Sequence, residues 1–273
     1  MGLGARIRQA ANRYGVPLHA LREKFAFAKR ALGSARGNAA FRRLHPDFAV
    51  PPLYLLWDAQ SYTEYEKYKS SGEQAATLYW DLIQRYVGPC VDRILRVCEW
   101  GCGPARILRH LPGLAEGHPC RFEFYGTDYN SRSIAWCRRR LRDINFATNR
   151  LAPPLGVEDN FFDFLFARSV FTHLSEEMHY AWIRELSRVI RPNGVLAIST
   201  QGLAHRERLL EHERIRFDNG EFVVRGLAKE GKLNFSAFHS PTFVREKLLS
   251  GFEILEHREG RGTQDLWIAR NIE

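Results

Sequence analysis

Ile94 to Arg106 reads ILRVCEWGCGPAR. Its first six residues, 94–99, are a short, mostly apolar run of the kind a buried strand uses. Gly101 and Gly103 follow, and glycines directly after a strand let the backbone turn tightly and approach a ligand closely. A helix is expected to begin near Pro104. Working outward, RFEFYGTD (121–128) reads as a second strand, followed by the helix SRSIAWCRRRLRD. A short strand is expected near Ile144–Ala147, then the loop RLAPPLGVEDN, then a strand in FFDFLFARS (161–169). SEEMHYAWIRELSRVI is a helix with Ser175 as its N-cap and Pro192 and Gly194 beyond its end. VLAIST (195–200) is the fifth strand. Strands that alternate with helices argue an α/β domain on a parallel sheet. Residues 203–240 break the alternation and read as an insertion. PTFVREKLLSG is then a helix, and FEILEHREGRGTQDLWIARN reads as two strands joined by a short glycine-containing turn, hence antiparallel.

The glycine turn excludes two ligands. A dinucleotide fingerprint needs glycine or alanine at position 106, where helix and strand pack closely, and Arg106 is too large. A phosphate-binding loop of the form G-x-x-x-x-G-K-[ST] occurs nowhere in the chain. Glu99, at the strand tip, would repel a pyrophosphate but suits a ligand that carries an ammonium group.

With these residues quoted, EWGCGPAR resembles the glycine motif of the class I S-adenosylmethionine-dependent methyltransferases. Ala105 stands at the third glycine, a position where close helix packing admits a small side chain. Asp128 stands where the family places the acid that accepts from the ribose hydroxyls. LAPPLGVEDNFFDFLFARSVFTHL is similar to the segment with the adenine contacts and the fourth strand, and RPNGVLAIST to the fifth strand and its lead-in. The resemblance covers residues 90–202 and 241–273. It implies a Rossmann-like, mostly parallel seven-stranded sheet whose last strand is antiparallel, with a helical N-terminal extension. It also implies S-adenosyl-L-methionine as cofactor and S-adenosyl-L-homocysteine as product, with contacts from Glu99, Gly101, Cys102, Gly103, Asp128, Tyr129 and Ser169. Tyr68 and Gly72 join that set through the family's habit of folding an N-terminal segment over the methionine end, where an aromatic face suits a sulfonium. Taken singly, each of these residues also has a plain reading as a turn glycine, a capping acid or a packing aromatic. Trp100 reads as packing and Arg106 as a first-turn residue.

Transfer from a sulfonium requires in-line alignment and the exclusion of water. An alcohol acceptor also needs a base. His173, just beyond the fourth strand, and His239, at the end of the insertion, are the two candidates, each weighed against a packing role. His205 has the weaker case. The favoured reading is O-methylation of a small molecule or of a glycan- or lipid-linked intermediate. A nucleic-acid methyltransferase and a non-catalytic binding protein are the alternatives. ARSVF stands where an exocyclic-amine methyltransferase shows N/D-P-P-Y/F.

Composition constrains the rest. The net charge is +9, and residues 1–43 hold ten Lys/Arg against Glu23 alone, so the excess sits in the N-terminal arm. The remaining chain balances, which argues against nucleic acid as a partner and leaves the arm for a membrane surface or an acidic protein. Leu18, Leu21, Phe25, Ala28 and Leu32 step along a helix that Gly33 and Gly37 are expected to end. HPDFAVPP then reads as linker, and GEQAATLYWDLIQRYV as a cap helix preceded by Tyr65, Tyr68, Ser70, Ser71 and Gly72. The expected division is an arm at 1–45, an aromatic-rich cap at 46–88 and a methyltransferase domain at 89–273 with its insertion at 203–240. Five cysteines, Cys90, Cys98, Cys102, Cys120 and Cys137, are irregularly spaced and read as free thiols; no ligand spacing points to a metal. No run approaches the ~20 apolar residues of a membrane span, and arginines interrupt the first fifteen residues too early for a signal core. The cytoplasm is the expected compartment, with the inner membrane face as a peripheral site for the arm.

Overall fold

A computed structural model describes residues 18–88, 93–226, 230–232 and 235–272. Cys90 lies outside them. The chain divides into two compact units, Met1–Ser70 and Ser71–Glu273.

In the first unit, helix α1 (Leu18–Leu44) runs straight through Gly33 and Gly37. The expected stop fails because tertiary bonds override local propensity. Ser34 Oγ lies 2.9 Å from Thr63 Oγ1, Asn38 Nδ2 donates to Thr63 O at 2.8 Å, and Asn38 Oδ1 accepts from Tyr65 N at 2.9 Å. The expected apolar stripe is not the buried one either. Phe25 and Leu32 are exposed, while Ser34, Asn38 and Phe41 are buried. Phe41, Leu56, Tyr65 and Tyr68 form an aromatic cluster, joined by Phe48, Val50, Leu53 and Tyr62. Helix α2 (Leu53–Gln60) begins directly after Pro52 and ends on Ser61 in the left-handed region. Helix α3 (Tyr65–Tyr86) starts earlier than the sequence suggested, so Ser70, Ser71 and Gly72 lie inside it.

The second unit is built on a seven-stranded sheet of order β3-β2-β1-β4-β5-β9-β8. Its strands are β1 (Ile94–Trp100), β2 (Arg121–Asp128), β3 (Asn145–Thr148), β4 (Phe162–Ala167), β5 (Ile190–Thr200), β8 (Phe252–Arg258) and β9 (Asp265–Asn271). The first five pair in parallel. β9 runs antiparallel to both β5 and β8, between which it lies. β4 is buried along its whole length, as a central parallel strand covered on both faces must be. The main core gathers Trp100, Phe162, Leu165, Phe171, Trp182, Leu186 and Trp267. Trp100 packs on Trp182 with ring centroids 4.4 Å apart, which confirms its packing role.

The helix expected from Pro104 does not form as one piece. The chain turns through 101–107, makes a 3₁₀ turn at Leu108–His110 and then a short helix α4 (Leu111–Ala115). Helix α5 (Ser131–Arg140) is capped by the Asn130 side chain, and α6 (Glu176–Val189) by Ser175 Oγ as expected. The insertion holds a 3₁₀ segment Leu203–Arg208, helix α7 (Glu211–Asp218) and its own antiparallel hairpin, β6 (Phe222–Gly226) with β7 (Phe235–His239). The last helix is short, Pro241–Phe243 continued by a π turn Val244–Leu248. Cys98, Cys102 and Cys137 are free and buried. Cys120 is disulfide-bonded, which corrects the expectation that every thiol is free.

Candidate functional site

The parallel strands β1, β2 and β4 end side by side, so the residues at their tips meet at one edge of the sheet, where open α/β sheets bind ligands. β1 delivers Glu99, then Gly101 with φ +75° and Gly103 with φ +52°. Both conformations are ones that side chains with a Cβ rarely adopt. A Cβ on Gly101 would overlap Val170 Cγ2, so the turn lies directly against the loop that follows β4. Ala105 is also left-handed, φ +56°, and fully buried. It therefore sits in a left-handed turn rather than in the close helix packing expected for it, since no helix has begun there.

β2 delivers Asp128, and its carboxylate braces the turn from the far side. Oδ2 accepts from Gly103 N at 2.7 Å and Oδ1 from Asn130 N at 2.7 Å. Glu99 is buried and accepts from Leu108 N at 3.0 Å. Burial raises its pKa to about 8, against the pull of the Arg106 guanidinium and the Leu108 bond. Arg106 itself donates to Ser71 O at 2.9 Å, and a Cβ on Gly72 would overlap the Arg106 carbonyl oxygen. Gly72 thus serves a close approach of α3 to the glycine turn. Cys102 is buried, its thiol directed at Gly103 O at 3.6 Å.

Beyond β4, Ser169 has φ +61°. Its N–H donates to Ser199 Oγ at 2.8 Å and its hydroxyl to Gln264 Oε1 at 2.9 Å; Ser199 Oγ donates to the same oxygen at 2.7 Å. Gln264 was not singled out by the sequence, because it meets Ser169 only across 95 residues. His173 follows in a 3₁₀ turn. Its Nδ1 lies 2.8 Å from Phe235 O. A carbonyl only accepts, so Nδ1 carries the proton and Nε2 keeps its lone pair. Burial lowers the His173 pKa, so the ring is neutral at pH 7. The insertion also reaches Tyr129, whose hydroxyl donates to Gly231 O at 2.7 Å, while Gly231 N donates to His173 O at 2.8 Å.

Two further predicted residues lie in apolar surroundings. His239 is fully buried, with its Nε2 2.7 Å from His179 Nε2, among Phe171, Phe222 and Phe243. His179 Nδ1 faces Ser175 O at 2.7 Å and must donate, so His179 Nε2 accepts and His239 Nε2 donates. Burial holds both rings neutral. Tyr68 is buried in the aromatic cluster of the first unit.

Residues 98–198, which include most of these tips, match the family model described as a methyltransferase domain. That segment is what the chain has in common with the methyltransferase-domain family. Its fold is also that of solved structures at low identity. A SAM-dependent methyltransferase from Methanosarcina mazei is 22% identical with a TM-score of 0.50, covering 70% of this chain and 97% of that one. The magnesium protoporphyrin IX methyltransferase from Synechocystis PCC 6803, solved with bound SAH, is 18% identical with a TM-score of 0.50 over 89% and 98%. A glycopeptide N-methyltransferase complexed with S-adenosyl-L-methionine is 14% identical with a TM-score of 0.51 over 73% and 94%. What the chain shares with them is the fold.

Proposed function

We propose that this chain transfers a methyl group from S-adenosyl-L-methionine to an oxygen of a small molecule or of a glycan- or lipid-linked intermediate, with His173 as the general base. The observation that carries the reading is the fixed tautomer of His173 at the ligand edge: a neutral ring, oriented by Phe235 O, with Nε2 ready to take a proton. An alcohol acceptor needs such a base, because its oxygen must lose a proton as it attacks. The residues present fit the cofactor. Gly101, Cys102 and Gly103 offer a close-approach backbone, Asp128 is a carboxylate at the tip of β2 of the kind that accepts from ribose hydroxyls, and Glu99 is a buried acid that suits an ammonium group. Gly72 keeps the glycine turn against α3, and Ser169 and Tyr129 line the tips of β4 and β2. Tyr68 belongs to the proposed set through the resemblance alone. When bound, S-adenosyl-L-methionine supplies an activated methyl group. The protein's share is to hold the acceptor in line, shed water and remove one proton at Nε2. His239 supports the insertion through His179 in this scheme rather than taking the proton, because both its ring and its partner are sealed in an apolar cage.

Calorimetric titration of S-adenosyl-L-homocysteine into the full chain tests the cofactor assignment. Micromolar binding is expected for the wild type, with at least about a hundredfold loss in Asp128→Ala, which forfeits two charge-assisted bonds and the ribose contact. A folded wild type that does not bind ends the enzyme reading. With an acceptor from a methyl-release screen, His173→Gln is expected to lower kcat by ~10²–10⁴ while leaving homocysteine-product affinity unchanged. Retained kcat would move the base elsewhere or point to a nitrogen acceptor.

A further inference from the structure

The two faces of α1 differ in chemistry. Phe27, Ala31, Ser34, Asn38 and Phe41 follow at steps of four and three residues, one stripe of a helix. This stripe faces inward: Phe27 meets Trp57 at 5.9 Å between ring centroids, Ser34 and Asn38 bind Thr63, and Phe41 is buried. Half a turn away, Phe25, Leu32, Arg36 and Arg43 form a second row at steps of seven, four and seven, with Lys29 beside them. Phe25 is 74% and Leu32 78% exposed. Between residues 22 and 44 there are seven Lys/Arg and one acid, Glu23.

We propose that this outer face docks on an anionic lipid surface. Two large apolar side chains set in a row of cations are costly in water, and each candidate partner satisfies them differently. A polyanion such as RNA would pair with the cations and gain nothing from Phe25 or Leu32. A protein interface core is depleted of lysine and of unpaired charge. A membrane interface takes both groups at once: the apolar side chains enter the acyl boundary while the long basic stems keep their charges among anionic headgroups. No helix among the described residues is long and apolar enough to cross a membrane, so the contact is one of surface association. The proposal does not depend on methyl transfer.

The test is co-sedimentation of the full chain with phosphatidylcholine vesicles, with and without phosphatidylglycerol. Binding is expected only to the anionic vesicles, and it should fall with added salt. The double variant Phe25→Ser/Leu32→Ser should bind at least about tenfold more weakly, and Lys29→Glu/Arg36→Glu should abolish binding. All four positions are exposed, so S-adenosyl-L-homocysteine titration of each variant reports an unchanged fold and an unchanged cofactor site. Failure of the full chain to sediment with either vesicle overturns the proposal. So does vesicle binding that the Phe25/Leu32 variant leaves intact, or binding to single-stranded RNA in place of vesicles.

Discussion

Replacing Gly101 by alanine is expected to abolish S-adenosyl-L-homocysteine binding and to lower folding stability by ~2–4 kcal/mol. Two independent effects add. A residue with a Cβ pays ~1–2 kcal/mol to hold φ near the +75° observed here. The new methyl would also overlap Val170 Cγ2, so either the turn or the start of the 3₁₀ segment after β4 must shift. Both bear on the ligand edge, because Gly103 N is held by Asp128 and Ser169 adjoins Val170. Thermal melts and calorimetry on Gly101→Ala and on Gly101→Ala/Val170→Ala separate the two contributions. The second substitution removes the overlap but not the backbone strain, so it should restore part of the stability. An alanine variant that binds as the wild type does would show that the turn does not carry the ligand.

Glu99 predicts a pH dependence with a definite sign. Its pKa in the folded protein is about 8, against 4.5 for an unperturbed glutamate. Between those values the folded state holds a proton that the unfolded state has lost. The stability of the ligand-free protein should therefore fall, by a few kcal/mol in all, as pH rises from about 4.5 to about 8. Glu99→Gln should flatten that slope. Ligand affinity should move the other way. An ammonium group favours the ionised carboxylate, so S-adenosyl-L-homocysteine should bind more tightly as pH rises from about 6 to about 8, by up to about tenfold per unit. At pH 7 binding should release about one proton, read by calorimetry in buffers of different ionisation enthalpy, and Glu99→Gln should abolish the release. An affinity that stays flat across this range would place the ammonium away from Glu99.

The parts that could be read from the sequence share one property: their signal is local. β1 and β2 were bounded within a residue because an apolar run ends on a glycine pair in one and on an acid in the other. Ser175 was a cap because three residues set it. The misplaced elements depend on distant partners. Gly33 and Gly37 look like stops, but Ser34 and Asn38 find Thr63 and Tyr65 and carry α1 on to Leu44. Ala105 looks like a helix residue, yet the brace from Asp128 to Gly103 holds the turn open through Ile107. Gly72 matters only because Arg106 passes beneath it. The hold of the insertion on His173 joins Phe235 to a residue 62 positions earlier. The short FVVRG and FSAFH segments, rich in β-branched and aromatic residues, are the available signal for that hairpin.

β9 lies inside the sheet, between β5 and β8, although it follows both in the sequence. Trp267 at its centre is fully buried, and its indole N–H donates to Thr200 Oγ1 at 3.0 Å. A chain without residues 265–271 would therefore leave β5 and β8 facing each other across a gap. Two unpaired strand edges and a Trp-sized hole would stand open in such a chain, a template for joining other chains. A ribosome that stalls, or a frameshift, just before Asp265 would release a chain with a finished ligand edge and no closed core, which makes it a substrate for chaperones and proteases rather than a slightly shortened protein.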